Sequence, residues 1–502
     1  MKQRTATLLG KGTADRIIFF GLLVLLFWLP LPWGSNRPWA EALIGILAGT
    51  LCTIYLLCQL PGALDRANST FPVLSYTLPI LLWLVWLAWG IVQMVPLDFA
   101  SLQSVSPAAA RLYTTLFPDM ASEHAWPISI QPGLTFQRWT LALGYFSLYL
   151  LVLGLARDRS RLNTLANVLV FSALLQAIYG GVMVLSRVEY GFFEHKTAYL
   201  GVATGTFVNR NHLAGYLELG AAVGIGLILA DLRSVDLGNW RKRVKHFLNF
   251  LFSTRLRTRV FLAVIVVGLV LTRSRGGNSA FFGALVVCAP AYMLLKERRL
   301  FLKSMVLFVS LLAVDVWIVS GWYGLGKLAT RVEQTHEATE DRTYAFAAYP
   351  GIIEQYWRTG SGEGTFATVF AANQPAKVVG YYDHAHNDYA EFLIEAGAPG
   401  FLVLLLLVGI TGLHALRVIL RRNDRLRVGM CFAFLMATAE LAIHSFTDFN
   451  LQIPANAATY VTLMAMAGAC AQDGRRRRKV QAVVHERDEV LSMDGSESTD
   501  AT

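Results

Sequence analysis

The chain has 502 residues, of which 55% are hydrophobic and only 16% are charged. Soluble globular proteins carry about 25% charged residues, so this composition excludes a set of water-soluble domains. The formal net charge of +10 does not indicate nucleic-acid binding, because a membrane protein is expected to carry a basic cytoplasmic rim. Composition therefore predicts a polytopic membrane protein whose partner is the lipid bilayer.

Apolar runs long enough to cross a bilayer follow one another along the chain. A hydrocarbon core of ~30 Å requires about 20 apolar residues in a helix. The sequence predicts about twelve transmembrane helices by this measure. They cover residues 17–33, 38–60, 73–95, 137–156, 163–186, 212–230, 259–273, 278–295, 300–320, 398–416, 428–447 and 453–471.

Lysine and arginine concentrate in alternate connections between these runs. Positive loops stay in the cytoplasm, so the pattern predicts that both termini are cytoplasmic. The chain then divides into five parts. They are a cytoplasmic N-terminus (1–16), transmembrane helices one to nine (17–320), a periplasmic loop subdomain (321–397), helices ten to twelve (398–471) and a disordered cytoplasmic tail (472–502).

Arginines stand at two outer connections where arginine is otherwise scarce. Asn209 and Arg210 begin the sixth predicted span, and Arg273 and Arg275 lie in the tight hairpin between the seventh and eighth. Guanidinium groups present paired donors to phosphate oxygens, which favours an anion site. A snorkelling arginine is the alternative for Arg210, and a structural salt bridge to Asp315 is the alternative for Arg273.

The large outer loop predicts three short helices and one turn. The segment DRTYAFAAYPGIIEQYW, which follows Glu340 and contains Arg342, has a helical pattern. The segment GSGEGTF lacks the lysine and the strand of a phosphate-binding loop, so a turn is the favoured interpretation. The third helix lies in DHAHNDYAEFLIEAGAPG, which runs directly into an apolar span. This stretch places His384, His386, Asn387 and Asp388 at the mouth of the membrane.

The eleventh span ends in ELAIHSFTDFN, which places Glu440, His444 and Asp448 at spacings of four. On a continuous helix these three side chains share one face. A polar lining of the outer cavity is favoured over a metal site, because the segment has one histidine and no paired ligand motif. The sequence predicts neither a metal nor a cofactor.

Four motifs in the second half of the chain resemble the O-antigen ligase/polymerase superfamily of bacterial membrane glycosyltransferases. His386, Asn387, Gly397 and Gly400 match every fixed position of the family pattern H-[N/S/Q]-x9-G-x-x-G. Three further features are similar to the family. They are the Arg342 helix with the turn at Gly360, Gly362, Gly364 and Phe366, the Asn209–Arg210 helix entry, and the hairpin of Ser274, Arg275 and Gly276.

The resemblance implies an all-α, GT-C-like membrane enzyme with a mostly helical periplasmic loop. It implies transfer of a glycan from undecaprenyl diphosphate to an acceptor hydroxyl, without metal and with inversion at the anomeric carbon. Arg210 and Arg275 would bind the diphosphate, and His386 would act on the acceptor hydroxyl. The secondary candidates are Arg273, Arg342, His384, Asn387, Asp388 and Asn209. Asn387 and Asp388 would orient the histidine, or each would cap the following helix, and the cap is favoured at least as much.

The acceptor stays open among three possibilities. Polymerisation of repeat units for a surface or exported polysaccharide is favoured slightly, because the loop contains no recognisable protein-acceptor module. A ligase would use lipid A–core, or a protein side chain, as acceptor instead. A chain-length regulator is an open candidate partner, and a membrane transporter is the alternative from another class. The resemblance implies the bacterial inner membrane, with the site facing the periplasm.

Overall fold

The computed structural model describes residues 11–64, 77–191, 194–231, 254–296 and 342–471. Every regular element in these ranges is helical, which confirms the all-α expectation for this part of the chain. The helices are α1 Lys11–Trp28, α2 Pro38–Leu64, α3 Thr77–Met94, α4 Phe99–Val105, α5 Pro107–Leu116, α6 Pro132–Leu155, α7 Arg159–Ser186, α8 Arg210–Asp231, α9 Thr254–Leu271, α10 Arg275–Lys296, α11 342–356, α12 Phe366–Asn373, α13 Asp388–Arg421, α14 Arg425–His444 and α15 454–471.

Within these ranges, 8 helices are long and apolar enough to cross a membrane: α2, α3, α6, α7, α8, α10, α13 and α14. The chain is therefore a multi-pass membrane protein. Helices α1, α9 and α15 coincide with three further predicted spans. The predicted span over 300–320, the first part of the outer loop and the tail lie outside the described residues. The count of about twelve and the orientation remain predictions.

Helices α8 and α14 form the most extensive helix pair in the described bundle. Their backbones approach closely at Gly226 and Gly429, where a Cβ on either glycine would collide with the carbonyl oxygen of the other. Small residues allow this close approach between membrane helices. The pairing brings the first turn of α8 beside the last turn of α14, so the two ends that carry polar residues meet.

The glycine-rich turn of the outer loop packs on a break inside α13. Gly397 has φ 67° and ψ 178°, which interrupts the helix between its outer part and its membrane part. Gly360 lies against this break, since a Cβ on Gly397 would come within 2.6 Å of the Gly360 nitrogen. A larger residue at either position would force the two backbones apart.

The amide groups of the same turn are used for this packing. Ser361 N–H donates to the Ile394 carbonyl at 2.9 Å, and Gly362 N–H donates to the Glu395 carbonyl at 3.0 Å. The turn interpretation of GSGEGTF is therefore confirmed, because these N–H groups bond to backbone carbonyl oxygens and do not point into an open phosphate-binding loop.

Helix α3 holds the break from the other side. Gln93 Nε2 donates to the carbonyl oxygens of Thr359 and Glu395, at 2.8 Å each. Trp89 Nε1 donates to the Ala396 carbonyl, also at 2.8 Å. The outer part of α13 is thus fixed to both the turn and the membrane bundle, and it presents the preceding segment, 383–387, to the end of α14.

Candidate active site

The site is organised around Asp448, which follows the end of α14. The helix ends at His444, and the Asp448 N–H bonds back to the His444 carbonyl in a turn. The Asp448 side chain is only 1% exposed, and its Oδ1 accepts the backbone N–H of Phe449 at 2.9 Å. A buried carboxylate at the mouth of the bundle needs further polar partners.

Two of these partners come from the first turn of α8. Asn211 Nδ2 donates to Asp448 Oδ2, and His212 Nε2 lies 3.6 Å from Asp448 Oδ1. Asn209 orients this turn by accepting the Asn211 N–H at 2.9 Å, so its side chain caps the start of α8. The pairing of α8 with α14 therefore assembles one side of the site.

His386 provides the third partner from the segment before α13. Its Nδ1 lies 3.7 Å from Asp448 Oδ1, within ion-pair range but longer than a hydrogen bond. Its backbone has φ 47°, a left-handed conformation that costs a non-glycine residue about 1–3 kcal/mol. Such a conformation persists only where surrounding contacts hold it, and it aims the imidazole at Asp448.

Asp448 is an anion at neutral pH. Burial alone would raise the pKa of this carboxyl, but the attraction of His212 and His386 outweighs burial and holds the pKa well below its ordinary value. An anionic carboxylate beside a ring nitrogen favours the tautomer that carries its proton on that nitrogen. The other nitrogen of His386 is then left as a proton acceptor.

Phe449 packs between three histidine rings. The His384 ring stacks on it at 4.4 Å, while His212 and His386 meet it edge-on at 4.6 and 4.8 Å. The aromatic ring fixes the planes of all three imidazoles. It thereby separates His384 from the other two.

His384 is bound to a different carboxylate. Its Nδ1 lies 2.6 Å from Glu391 Oε1, and the neighbouring Ala385 N–H donates to Glu391 Oε2 at 2.8 Å. Burial lowers the pKa of His384, but the charge and hydrogen bond of Glu391 outweigh it, so the pKa is raised overall. These contacts give His384 a role in holding the segment that carries His386.

Asn387 and Asp388 are occupied by structural contacts. Asn387 Oδ1 caps α13 by accepting the Ala390 N–H at 3.0 Å. Asp388 is 1% exposed and accepts Ser445 Oγ–H at 2.7 Å, while its own N–H donates to the Ser445 carbonyl at 3.0 Å. Asn387 is therefore the cap of α13. Asp388 instead joins the start of α13 to the end of α14.

The family comparison covers much of this arrangement. Residues 260–405 match the family model described as O-antigen ligase. We call these residues the O-antigen ligase domain, after the family model that they match. The resemblance to the O-antigen ligase/polymerase superfamily that the motifs predicted is thereby confirmed. The match to this family supports glycosyltransferase-like activity in general. A search of the curated proteins returns no match.

The O-antigen ligase domain contributes Arg275 at the first position of α10. Gly276 packs against Thr447, where a Cβ would come within 2.7 Å of Thr447 Oγ1. Arg275 therefore directly precedes Gly276, which contacts Thr447, the residue before Asp448. Its side chain is exposed and has neither an ion pair nor a hydrogen bond with the described part of the chain.

Arg273 and Arg342 also lie within the O-antigen ligase domain. Arg273 has φ 52°, a second left-handed residue at the outer rim, and the proposed partner Asp315 lies outside the described residues. Arg342, at the start of α11, interacts electrostatically with Tyr199. Arg210 lies outside the matched range, and its guanidinium is 5.8 Å from the centre of the Tyr199 ring.

The predicted stripe of Glu440, His444 and Asp448 is wrong as a single helical face, because α14 ends at His444. Glu440 and His444 are fully buried below the site rather than lining an outer cavity. His444 Nδ1 lies 3.0 Å from Glu218 Oε1 of α8. Only Asp448 turns outward. Within the described ranges, no group of three or more His, Cys, Asp or Glu has the geometry to hold a metal ion.

Sequence reasoning missed His212, Glu391 and Phe449 as members of the arrangement. His212 stands two residues after Arg210, and that adjacency was an available signal. Glu391 lies seven residues after His384, which is two turns of a helix, but the left-handed break at His386 intervenes. No local pattern marks Phe449, because its importance comes from three rings that meet only in the folded chain.

Proposed function

We propose that the protein transfers a glycan from undecaprenyl diphosphate to an acceptor hydroxyl at the periplasmic face of the bacterial inner membrane. The observation that carries this proposal is the meeting of His386 with the buried anion Asp448, beside the helix starts that bear Arg210 and Arg275. The O-antigen ligase match over residues 260–405 supports the same class of reaction.

His386 acts on the acceptor in this proposal. Asp448 orients the imidazole so that Nδ1 carries the proton, and Nε2 accepts the proton of the acceptor hydroxyl. The acceptor oxygen forms a bond to the anomeric carbon as the bond from that carbon to the diphosphate oxygen breaks. One direct displacement inverts the anomeric centre. His212 shares the same carboxylate and fixes its position.

The arginines act on the leaving group. Negative charge develops on the bridging oxygen of the diphosphate as the glycosidic bond breaks. Arg275 has an exposed guanidinium with no partner among the described residues, so it can bind a phosphate from the bilayer side. Preorganised charges of this kind supply a large part of the rate enhancement in many enzymes. The reaction then requires neither a nucleotide sugar nor a metal ion.

Two acceptors fit this chemistry. A second lipid-linked repeat unit would make the protein a polymerase, and lipid A–core would make it a ligase. The description of the matched family, O-antigen ligase, favours the second acceptor. The slight preference for polymerisation rested on the loop's lack of a protein-acceptor module, which does not argue against lipid A–core.

Product length distinguishes these acceptors. Purified full-length protein is incubated with an undecaprenyl-diphosphate-linked repeat unit alone, and the glycans are separated on a gel. A ladder identifies a polymerase. Donor that is consumed only after lipid A–core is added identifies a ligase. Donor that stays intact with both acceptors, and with a protein acceptor, contradicts glycan transfer.

His386→Ala is expected to abolish product while the amount of protein in the membrane stays unchanged. General base catalysis contributes about 10²–10⁴-fold to the rates of enzymes that use it. His124→Ala is the matched control, because His124 is exposed in the loop after α5 and bonds only to the Met120 carbonyl of its own turn. Normal product from the His386 variant would rule out the proposed mechanism.

Arg275→Lys is expected to lower the transfer rate about tenfold, because a point charge does not reproduce the paired donors of guanidinium. Arg358→Lys is the control, since this exposed arginine lies over the Trp357 ring, 5.7 Å from its centre. Equal rates for wild type and the Arg275 variant would assign Arg275 a structural role.

A further inference from the structure

Tyr199 has a backbone conformation that an aromatic residue rarely adopts. Its φ is 56°, in the left-handed region, where a bulky side chain is a genuine outlier. The surrounding loop is braced: Lys196 Nζ pairs with Glu189 Oε2 at 2.8 Å, and Gly201 N–H donates to Glu189 Oε1 at 2.5 Å. Backbone strain that is held in this way is concentrated at functional sites.

The ring of Tyr199 faces an arginine of the candidate site. The Arg210 guanidinium carbon is 5.8 Å from the ring centre, in cation–π range. Arg210 is the first residue of α8, one position before Asn211, which binds Asp448. The strained loop therefore places an aromatic surface under the guanidinium and limits the directions in which it can point.

Charged groups from four segments are near enough to affect the pKa of the Tyr199 hydroxyl. They are Asp448 after α14, Arg342 of α11, Arg210 of α8 and Asp383 before α13. Burial raises the pKa of Tyr199, and Asp448 raises it further, although the two arginines lower it. The phenol therefore keeps its proton at neutral pH, so it is available as a hydrogen-bond donor.

A hydrogen-bond donor beside a guanidinium group matches the chemistry of a diphosphate. The phosphate oxygens carry more lone pairs than two arginines can occupy, and charge-assisted hydrogen bonds to them are the strong ones. A tyrosine that served only to pack the loop would need no hydroxyl in this position. The half-buried state of Tyr199 also leaves the group accessible from the rim.

We propose that Tyr199 is a donor-positioning residue: its ring fixes Arg210, and its hydroxyl donates a hydrogen bond to the diphosphate of the lipid-linked donor beside Arg210. This inference rests on the proposed glycan transfer and assigns a residue outside the matched family range and outside every motif found in the sequence.

The test separates the ring from the hydroxyl. Tyr199→Phe keeps the ring and removes the donor, whereas Tyr199→Leu removes both. Tyr190→Phe is the matched control, because it removes a phenol oxygen from the same loop, where the ring packs on His195 at 4.7 Å. Donor KM and kcat are measured for transfer. Binding of undecaprenyl diphosphate without a glycan is measured separately by microscale thermophoresis on the detergent-solubilised full-length protein.

We expect Tyr199→Phe to raise the donor KM and the Kd for undecaprenyl diphosphate about 10- to 100-fold, the factor for a lost hydrogen bond to a charged group. Tyr199→Leu is expected to weaken binding further, and Tyr190→Phe to match wild type. Wild-type binding by Tyr199→Phe would overturn the hydrogen bond, and wild-type binding by both Tyr199 variants would overturn the assignment. Unchanged melting temperature of Tyr199→Phe shows that it folds.

These outcomes are distinct from failure of the proposed function. If wild type transfers glycan and the Tyr199 variants equal it, only the role of Tyr199 falls. If wild type neither binds undecaprenyl diphosphate nor transfers glycan, the function itself is contradicted, and with it the role of Tyr199.

Discussion

Two histidine–carboxylate clusters lie one above the other at the end of α14, and they differ in access. The outer cluster is His212, His386 and Asp448; the buried cluster is Glu218, Glu440 and His444. The His386 side chain is 17% exposed, whereas that of His444 is 1% exposed. Each cluster pairs histidine with carboxylate, so the difference in exposure decides which cluster can reach a substrate.

The difference in access follows from where the helix ends. His444 closes α14 inside the bundle, and the next four residues turn the chain outward to Asp448. The glycines at the start of α10 seal the buried cluster, since a Cβ on Gly277 would come within 2.8 Å of Glu218 Oε1. We therefore expect reactive chemistry at the outer cluster and an effect on stability from the buried cluster.

The largest expected effect is on the outer carboxylate. Asp448→Asn removes the anion that orients His386, so transfer is expected to fall about 10²–10⁴-fold, the usual contribution of a positioned general base. Glu440→Gln makes the same carboxylate-to-amide change in the buried cluster and is expected to leave the rate close to wild type. Rates of product formation at saturating donor check both. Equal losses of transfer rate in the two variants would show that the two clusters do not differ in function.

A change in the buried pair should act on stability instead. His444→Leu leaves Glu218 without its partner, and removing one member of a buried pair costs about 3–5 kcal/mol. Chemical unfolding in detergent micelles measures this loss. The double variant Glu218→Leu with His444→Leu should recover much of it, because no buried charge then stays unpaired. A single variant as stable as wild type would show that the pair contributes nothing.

A substitution at Glu440 is expected to raise the stability of the protein instead of lowering it. Both of its carboxyl oxygens are buried without a hydrogen bond to the described residues, and an unsatisfied buried polar group costs about 1–3 kcal/mol. Glu440→Met replaces it with an apolar chain of similar volume and is expected to stabilise the protein by about that amount. Thermal unfolding compares it with wild type, and a lower melting temperature would point to a partner in the rest of the chain.

The smallest expected effect is a pH dependence at the boundary between the clusters and the outer loop. Glu391 raises the folded-state pKa of His384 above its ordinary value. The stability from this contact is complete below the unfolded pKa of about 6.5 and is lost as pH rises through the folded pKa. The melting temperature should therefore fall as the pH rises above about 6.5 and through the raised folded-state pKa.

Glu391→Gln is the variant that isolates this dependence, because it keeps the acceptor oxygen and removes the charge. We expect the melting temperature of the variant to fall less than that of wild type over the same interval. The same slope in both proteins would assign the pH dependence to other groups.

Sequence patterns predicted candidate site residues that lie in short local motifs. His386 and Arg275 lie in short motifs whose residue spacing does not depend on tertiary contacts. Both lie at the outer end of the bundle. Asp448 was placed on a helical face because a spacing of four from His444 fits a continuous helix. The helix ends early because Ser445 is held by Asp388, a contact across 57 residues that no local pattern contains.

The same limit applies to the packing around the outer loop. The glycines at 360, 362 and 364 predict a turn, and Gly397 predicts the end of a helix. That the turn packs on the break, and that Gln93 and Trp89 of α3 bind both, depends on tertiary contacts. Local sequence propensity therefore predicts the turn and the helix end, whereas the residues that they contact are known only from the folded bundle.

The bond between α3 and the break in α13 also constrains biogenesis. Gln93 is fully buried and donates to Thr359 and Glu395, which lie 266 and 302 residues later in the chain. During synthesis α3 enters the bilayer long before these acceptors exist, so its amide must be satisfied by water, by lipid headgroups or by the insertion machinery. The N-terminal helices therefore gain these partners only after the C-terminal half is made, and the nascent chain holds no complete site until Asp448 and Phe449 have emerged from the ribosome.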